Sequence, residues 1–231
     1  FLSLKEENHL NKKKIIILIG IILLISIAIY FIFFYKNTAK NLKIGNNTTS
    51  QEIIDNILNI NSYEVQIEVE VTSNKNTNKY KMKQEYIKPD VITQEVIEPE
   101  NIRGTKLIKN ENHLRIENSN LNLTKIIENY PFMEDNCLDL NSFIEEYKKN
   151  KNTNLEENEN EIILQVECQN ANNNTKFREL VIDKKTGNPI KMEIKDTGKK
   201  TTVYIVYNEV KLNNIQASTI AFNRLPVKQE I

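Results

Sequence analysis

The chain has 231 residues and balances 31 Lys+Arg against 31 Asp+Glu, a formal net charge of zero. A neutral chain lacks the clustered cationic face that binds nucleic acid, and five Gly and five Pro exclude collagen-like and Pro-rich classes. The length predicts one domain with an appendage, or two small domains. Asn, Lys and Ile are over-used, as AT-rich codon bias produces, so a single Asn or Lys carries little information.

The apolar residues are unevenly placed. Ile15 to Tyr35 is uncharged, and about 21 residues at 1.5 Å rise span roughly 31 Å as a helix, the thickness of bilayer hydrocarbon. Lys12, Lys13 and Lys14 precede the run; Lys36 and Lys40 follow it. The larger basic cluster predicts residues 1–14 in the cytoplasm and 36–231 outside. Tyr30, Phe31, Phe33, Phe34 and Tyr35 then form an aromatic belt at the outer interface. A cleaved signal peptide is the competing reading, but its shorter apolar core ends at a small-x-small site. This run ends in Phe33-Phe34-Tyr35, and no Cys stands beside it for lipidation. The expectation is an uncleaved, single-pass signal-anchor at 15–35, a tether at 36–48 and an extracytoplasmic domain at 49–231.

Thr49 or Ser50 caps a helix carrying Ile53, Ile54, Ile57, Leu58 and Ile60 on one face. Tyr63, Val65, Ile67, Val69 and Val71 then alternate with polar residues, the period of a half-buried strand. A polar turn at 73–78 leads to a second strand with Tyr80, Met82, Gln84 and Tyr86. Lys88-Pro89-Asp90 breaks the chain before a strand at 91–97. Turns at 99–104 and 110–112 set off two more short strands, at 105–108 and 113–117. Leu140, Phe143, Ile144 and Tyr147 mark a helix near 139–149, and 148–160 reads as a charged loop. Ile162, Leu164, Val166 and Cys168 share one strand face; Ile190, Met192 and Ile194 share another; Val203, Ile205 and Tyr207 open the last strand. Amphipathic strands joined by short turns predict a meandering antiparallel sheet whose dry face the helices cover.

Catalytic constellations are missing. His9 lies before the apolar run, and His113 stands alone on a strand, without the spacing of a metal site. No nucleophile elbow, phosphate loop or zinc-type pairing occurs. The paired acids Glu134-Asp135, Glu145-Glu146 and Glu156-Glu157, and Lys148-Lys149, Lys184-Lys185 and Lys199-Lys200, read as solvated surface. The expectation is a non-enzyme without cofactor or metal. Cys168 closes an apolar strand face and reads as a small buried hydrophobe; a disulfide between Cys137 and Cys168 is the other reading in an extracytoplasmic domain.

The order of elements carries a resemblance. A helix ends in Ile60-Asn61-Ser62-Tyr63, a long hairpin follows, then Tyr86-x-Lys88-Pro89-Asp90, a strand and Gly104. Near the end stand Val181-x-Asp183-x-x-Thr186-Gly187-x-Pro189, a strand, Gly198 and a strand closing on Tyr207-Asn208. Over residues 49–225 this resembles the LolA/RseB-like superfamily of extracytoplasmic half-barrels, and within it the GerS-related germination lipoproteins of clostridia. The resemblance implies an α+β fold: a curved, incomplete antiparallel β-barrel with helices plugging its apolar side. LolA-like carriers hold lipoprotein acyl chains in that cavity, whereas GerS-like proteins bind and enable a cell-wall amidase in cortex formation. The chain departs from the lipoprotein pattern by offering a helix anchor instead of a lipidated Cys.

Two functions follow: a module engaging a cell-envelope hydrolase, and a lipid or lipoprotein-acyl binder. For the first, the expected partner edge is the hairpin 63–87, where Tyr80, Met82 and Tyr86 present apolar surface beside Lys79, Lys81 and Lys83. The alternative is that these three apolar side chains face the barrel interior.

Overall fold

The computed structural model describes residues 26, 44–45, 48–73, 75–89, 91–110, 113–128, 138–168 and 173–214. The chain divides into units Phe1–Lys40 and Asn41–Ile231. Apart from Ser26, the expected anchor at 15–35 lies outside the described residues. No helix among the described residues is long and apolar enough to cross a membrane.

The second unit opens on α1 (Ser50–Leu58), and Thr49 is its cap. Thr49 Oγ1 accepts from the Glu52 backbone N–H at 3.3 Å, and the Glu52 carboxylate accepts from the Thr49 N–H at 2.8 Å. This reciprocal box satisfies backbone donors that a first turn otherwise leaves open. Ile53, Ile54 and Ile57 are buried, as is Ile60 just past the helix.

Eleven strands form one sheet: β1 (Ser62–Thr72), β2 (Thr77–Ile87), β3 (Val91–Glu98), β4 (Lys106–Asn110), β5 (His113–Asn118), β6 (Leu123–Ile127), β7 (Thr153–Glu157), β8 (Glu161–Glu167), β9 (Phe177–Asp183), β10 (Pro189–Lys195) and β11 (Thr201–Leu212). Their order is β6-β5-β4-β3-β2-β1-β11-β10-β9-β8-β7. Two antiparallel meanders therefore run outward from a central β1–β11 pair, and α2 (Leu140–Lys149) lies in the connection from β6 to β7. β1 and β2 pair without interruption from Ser62↔Ile87 to Thr72↔Thr77. The β1–β11 register slips between Glu64 and Gln66, where Glu209 takes φ +49.

The alternation of β1 is realised. Tyr63, Val65, Ile67 and Val69 are buried, and the glutamates between them take the other face. Ile57, Leu140 and Phe143, all 0% exposed, join the same core as the inward residues of β1, β8–β11 and the near half of β2–β3. One face of the sheet is thus covered by helices, and the other is open and polar. Gly187, at φ +68 in the β9–β10 turn, lets Ile44 pack beside Ile53; a Cβ there would stand 2.8 Å from Ile44 Cδ1.

The antiparallel meander and both helices match expectation, and four details correct it. The loop expected at 148–160 contains the whole of β7. β6 and β9 extend the expected set of strands. Ile190 does not share the face of Met192 and Ile194. A register shift between Pro189 and Lys191 puts Pro189 in the buried position and leaves Ile190 half-buried.

Candidate binding site

The hairpin expected as a partner edge is not an edge. β2 bonds to β1 on one side and to β3 on the other, at the middle of the sheet. The period of two sends its apolar side chains inward: Met82 and Tyr86 are buried, Tyr80 packs against the same core, and Tyr86 stacks on Tyr63 with centroids 5.3 Å apart. Lys79, Lys81 and Lys83 take the open face, opposite Glu70, Glu68 and Gln66. Lys79 lies 3.0 Å from Glu70, and Lys83 lies 2.8 Å from Glu85 and 3.6 Å from Glu64. Lys79 and Lys83 thus belong to an intramolecular charge ladder on the open face.

The sheet ends at β6 and β7. Among the described residues no strand pairs with the outer side of either. β6 reads Leu-Thr-Lys-Ile-Ile; Leu123 is 42% and Ile126 60% exposed, and Leu121 just before it is 56% exposed. A buried Asn118 holds this segment in place. Its Oδ1 accepts from the backbone N–H groups of Asn120 (3.0 Å) and Leu121 (3.1 Å), and its Nδ2 donates to the Arg103 carbonyl (3.1 Å) and Thr105 Oγ1 (2.8 Å). Asn122 then takes the left-handed conformation at φ 52, which Asn tolerates better than most residues. The turn is held by its own hydrogen bonds, and it presents apolar side chains beside a row of backbone groups with which no described strand pairs.

β7 differs. It reads Thr-Asn-Leu-Glu-Glu, all exposed, with Leu155 the one large apolar residue. Charged residues on an edge oppose strand addition, and Glu156 and Glu157 supply them.

A buried polar seam pins α2. Asp139, 2% exposed, caps the helix by accepting from the Ser142 N–H at 2.7 Å. Arg178, on the covered face of β9, donates to Ser142 Oγ at 3.2 Å, and Gln84 Nε2 donates to the Leu138 carbonyl at 3.1 Å. Burial raises the Asp139 pKa, against the Ser142 backbone donor and the charges of Arg178 and Lys109. Burial likewise pushes the phenols of Tyr63 and Tyr207 up, with Asp139 adding to both. At the far end of the helix, Asn150 Nδ2 donates to the Glu167 carbonyl. The seam is a structural tie between helix and sheet.

His113 is exposed at the start of β5. Among the described residues no group of three or more His, Cys, Asp or Glu could hold a metal. Cys168 is 3% exposed within the core cluster, and Cys137 lies outside the described residues. Sequence reasoning missed Leu121, Leu123 and Ile126. The usable signal was the turn Asn118-Ser119-Asn120, which a strand precedes and a short β-branched run follows.

The sequence pattern of the family described as "Sporulation protein YdcC-like" matches residues 12–220. The chain belongs to that family. No curated protein matches the chain. Solved structures similar to this YdcC-like chain include an uncharacterized conserved protein from Thermus thermophilus, with 14% identity, TM-score 0.48, 74% of this chain and 92% of that one covered. A chain from the complex of the CwlD amidase with the GerS lipoprotein of Clostridioides difficile has 22% identity and TM-score 0.43, covering 72% of this chain and 98% of that one. A LolA superfamily protein from Nitrosomonas europaea has 11% identity and TM-score 0.40, covering 74% and 96%. The resemblance seen in the order of elements thus meets a sporulation family.

Proposed function

We propose that this YdcC-like chain is a non-catalytic binding module, held outside the cell membrane by the 15–35 segment, that engages a cell-envelope protein through β6. The proposed partner class is a cell-wall hydrolase acting in sporulation and germination, as in the pairing of CwlD with GerS. The observation that supports this reading is the β6 edge, whose outer side pairs with no strand among the described residues, with Leu121, Leu123 and Ile126 exposed on and beside it. An extended partner segment adds to such an edge through main-chain hydrogen bonds and seats alternate side chains on the apolar ones. A fixed anchor raises the effective concentration of the module near partners at the same surface.

The test is a photo-crosslinking residue at Thr124 in sporulating cells, followed by mass spectrometry of the adducts. An envelope hydrolase is expected among them, and its absence from the adducts overturns the reading. For the anchor, protease added to intact protoplasts should destroy residues 36–231, while the protein should stay with membranes through a high-salt wash. A soluble mature form beginning near residue 36 contradicts it. The acyl-carrier alternative needs space on the covered face, where Ile57, Leu140 and Phe143 are 0% exposed. Native mass spectrometry of the purified chain should accordingly show no stoichiometric acyl lipid.

A further inference from the structure

The open face carries a second feature, far along the sheet from β6. A cavity of about 380 Å³ lies over β7–β10, between the α2–β7 connection and the β10–β11 turn, within the range of small-molecule sites (roughly 300–1,000 Å³). Its floor is a row of polar side chains crossing four strands. Asn154 Nδ2 donates to Gln165 Oε1 at 3.1 Å, Gln165 Nε2 donates to Glu179 Oε2 at 3.2 Å, and Lys195 Nζ donates to that same oxygen at 3.0 Å. The row follows from register, with Asn154 opposite Gln165 and Gln165 opposite Glu179. In the adjacent row Phe177 stands between Glu167 and Lys195. Its ring is half-buried in this polar frame, and Lys199 Nζ lies 5.9 Å from the ring centroid.

Most of the charges around the cavity are paired. Lys195 pairs with Glu179 at 3.0 Å and with Glu193 at 3.5 Å, and Lys176 pairs with Glu167 at 3.1 Å. With Arg178 and Lys199 also on the lining, cations and anions come within one charge of balance, so the field offered to a phosphate or a lone cation is weak. What remains is a set of amide, hydroxyl and carboxylate groups at fixed spacing around an aromatic ring. That chemistry complements a molecule with hydroxyl and amide groups at its rim and an apolar C–H face, which is the make-up of an N-acetylated sugar. Lys199 is exposed on a turn, so its ammonium can swing off the ring as a sugar face arrives.

We propose that this cavity binds the sugar rings of a neutral glycan strand, with Asn154 and Gln165 bonding its polar rim and Phe177 stacking on its C–H face. The site is separate from β6 and stands or falls independently of the partner assigned there. The test uses the full chain in a detergent without a sugar headgroup, with chitotetraose as the probe. Saturation-transfer NMR should show contact through the sugar C–H protons, and titration should saturate. N154A and Q165A, on exposed and half-exposed positions, should each weaken binding about tenfold, as loss of a site hydrogen bond does. Phe177→Leu keeps apolar bulk, removes the flat ring and should abolish the transfer; if it fails to fold, the two amide variants carry the test. Absence of saturable binding overturns the proposal, as does binding that N154A and Q165A leave unchanged.

Discussion

The two ends of the sheet, β6 and β7, are equally short and equally unpaired among the described residues, yet they are chemically opposite. β6 offers Leu, Ile and Ile with one Lys, and β7 offers a single Leu beside two Glu. Edge strands invite pairing, and charge is a common means of refusing it. β7 is protected by its composition, whereas β6 is left open and is held rigid by Asn118. The difference between them separates an edge that merely ends a sheet from one suited to receiving a partner.

The largest effect should come from removing what holds β6 in place. Asn118→Ala deletes four hydrogen bonds at a site 1% exposed, and stranded buried polar groups should lower stability by about 2–4 kcal/mol. Urea unfolding measures that loss, and partner capture should fall with it. Asn154→Ala, on the opposite edge, should leave the unfolding midpoint nearly unchanged.

A smaller effect isolates recognition from folding. Ile126→Lys places a charge on the exposed side of β6 and should change stability by no more than about 0.5 kcal/mol. Partner retention should nevertheless drop about tenfold, equivalent to about 1.4 kcal/mol. Leu155→Lys makes the same chemical change on β7 and should leave retention intact. Equal losses from the two variants would remove the distinction between the edges.

The two edges were also the least legible parts of the fold. α1 and β1 announce themselves because one face of each is buried, so Ile53, Ile57, Tyr63, Val65, Ile67 and Val69 recur with clear periods. β6 and β7 are exposed along nearly their whole length, and a strand with no dry face leaves no alternation to detect. The pattern that reads as a partner surface therefore falls on β2, where the apolar alternation is strong because the strand is core. Arg178 was illegible for a different reason: its partner Ser142 lies 36 residues away in sequence on α2. The bulge that displaces Ile190 is a matter of register, which the hydrophobic pattern alone did not reveal.

pH distinguishes the covered seam from the open face by the sign of the effect. Burial raises the Asp139 pKa above its unfolded value. As pH rises through the acidic range the unfolded chain releases that proton first, so this group's contribution to stability declines. The stability of Asp139→Asn relative to wild type should therefore improve as pH increases. Glu64 behaves oppositely, because its hydrogen bond from Lys211 lowers its pKa. Its contribution is present above the unfolded pKa and is lost as pH falls, so Glu64→Gln should compare worst with wild type near neutrality. Unfolding midpoints measured from acid to neutral pH give both slopes, and slopes of the same sign would contradict the assignment.

The smallest effect tests the middle of the sheet against its edge. Lys79 and Glu70 form a pair at 3.0 Å with side chains 78% and 41% exposed. Pairs this open contribute about 0–1 kcal/mol, and salt screens them. Lys79→Glu places two carboxylates opposite one another across β1 and β2, so a loss within that range is expected at low salt and should shrink as salt is added. Partner capture should not change, because Lys79 lies on a paired strand far from β6 in the sheet order. A Lys79→Glu variant that folds normally but loses its partner would move the binding surface from the β6 edge to the open face of the central hairpin. The charge ladder would then be part of the interface, and Ile126→Lys should have had no effect of its own.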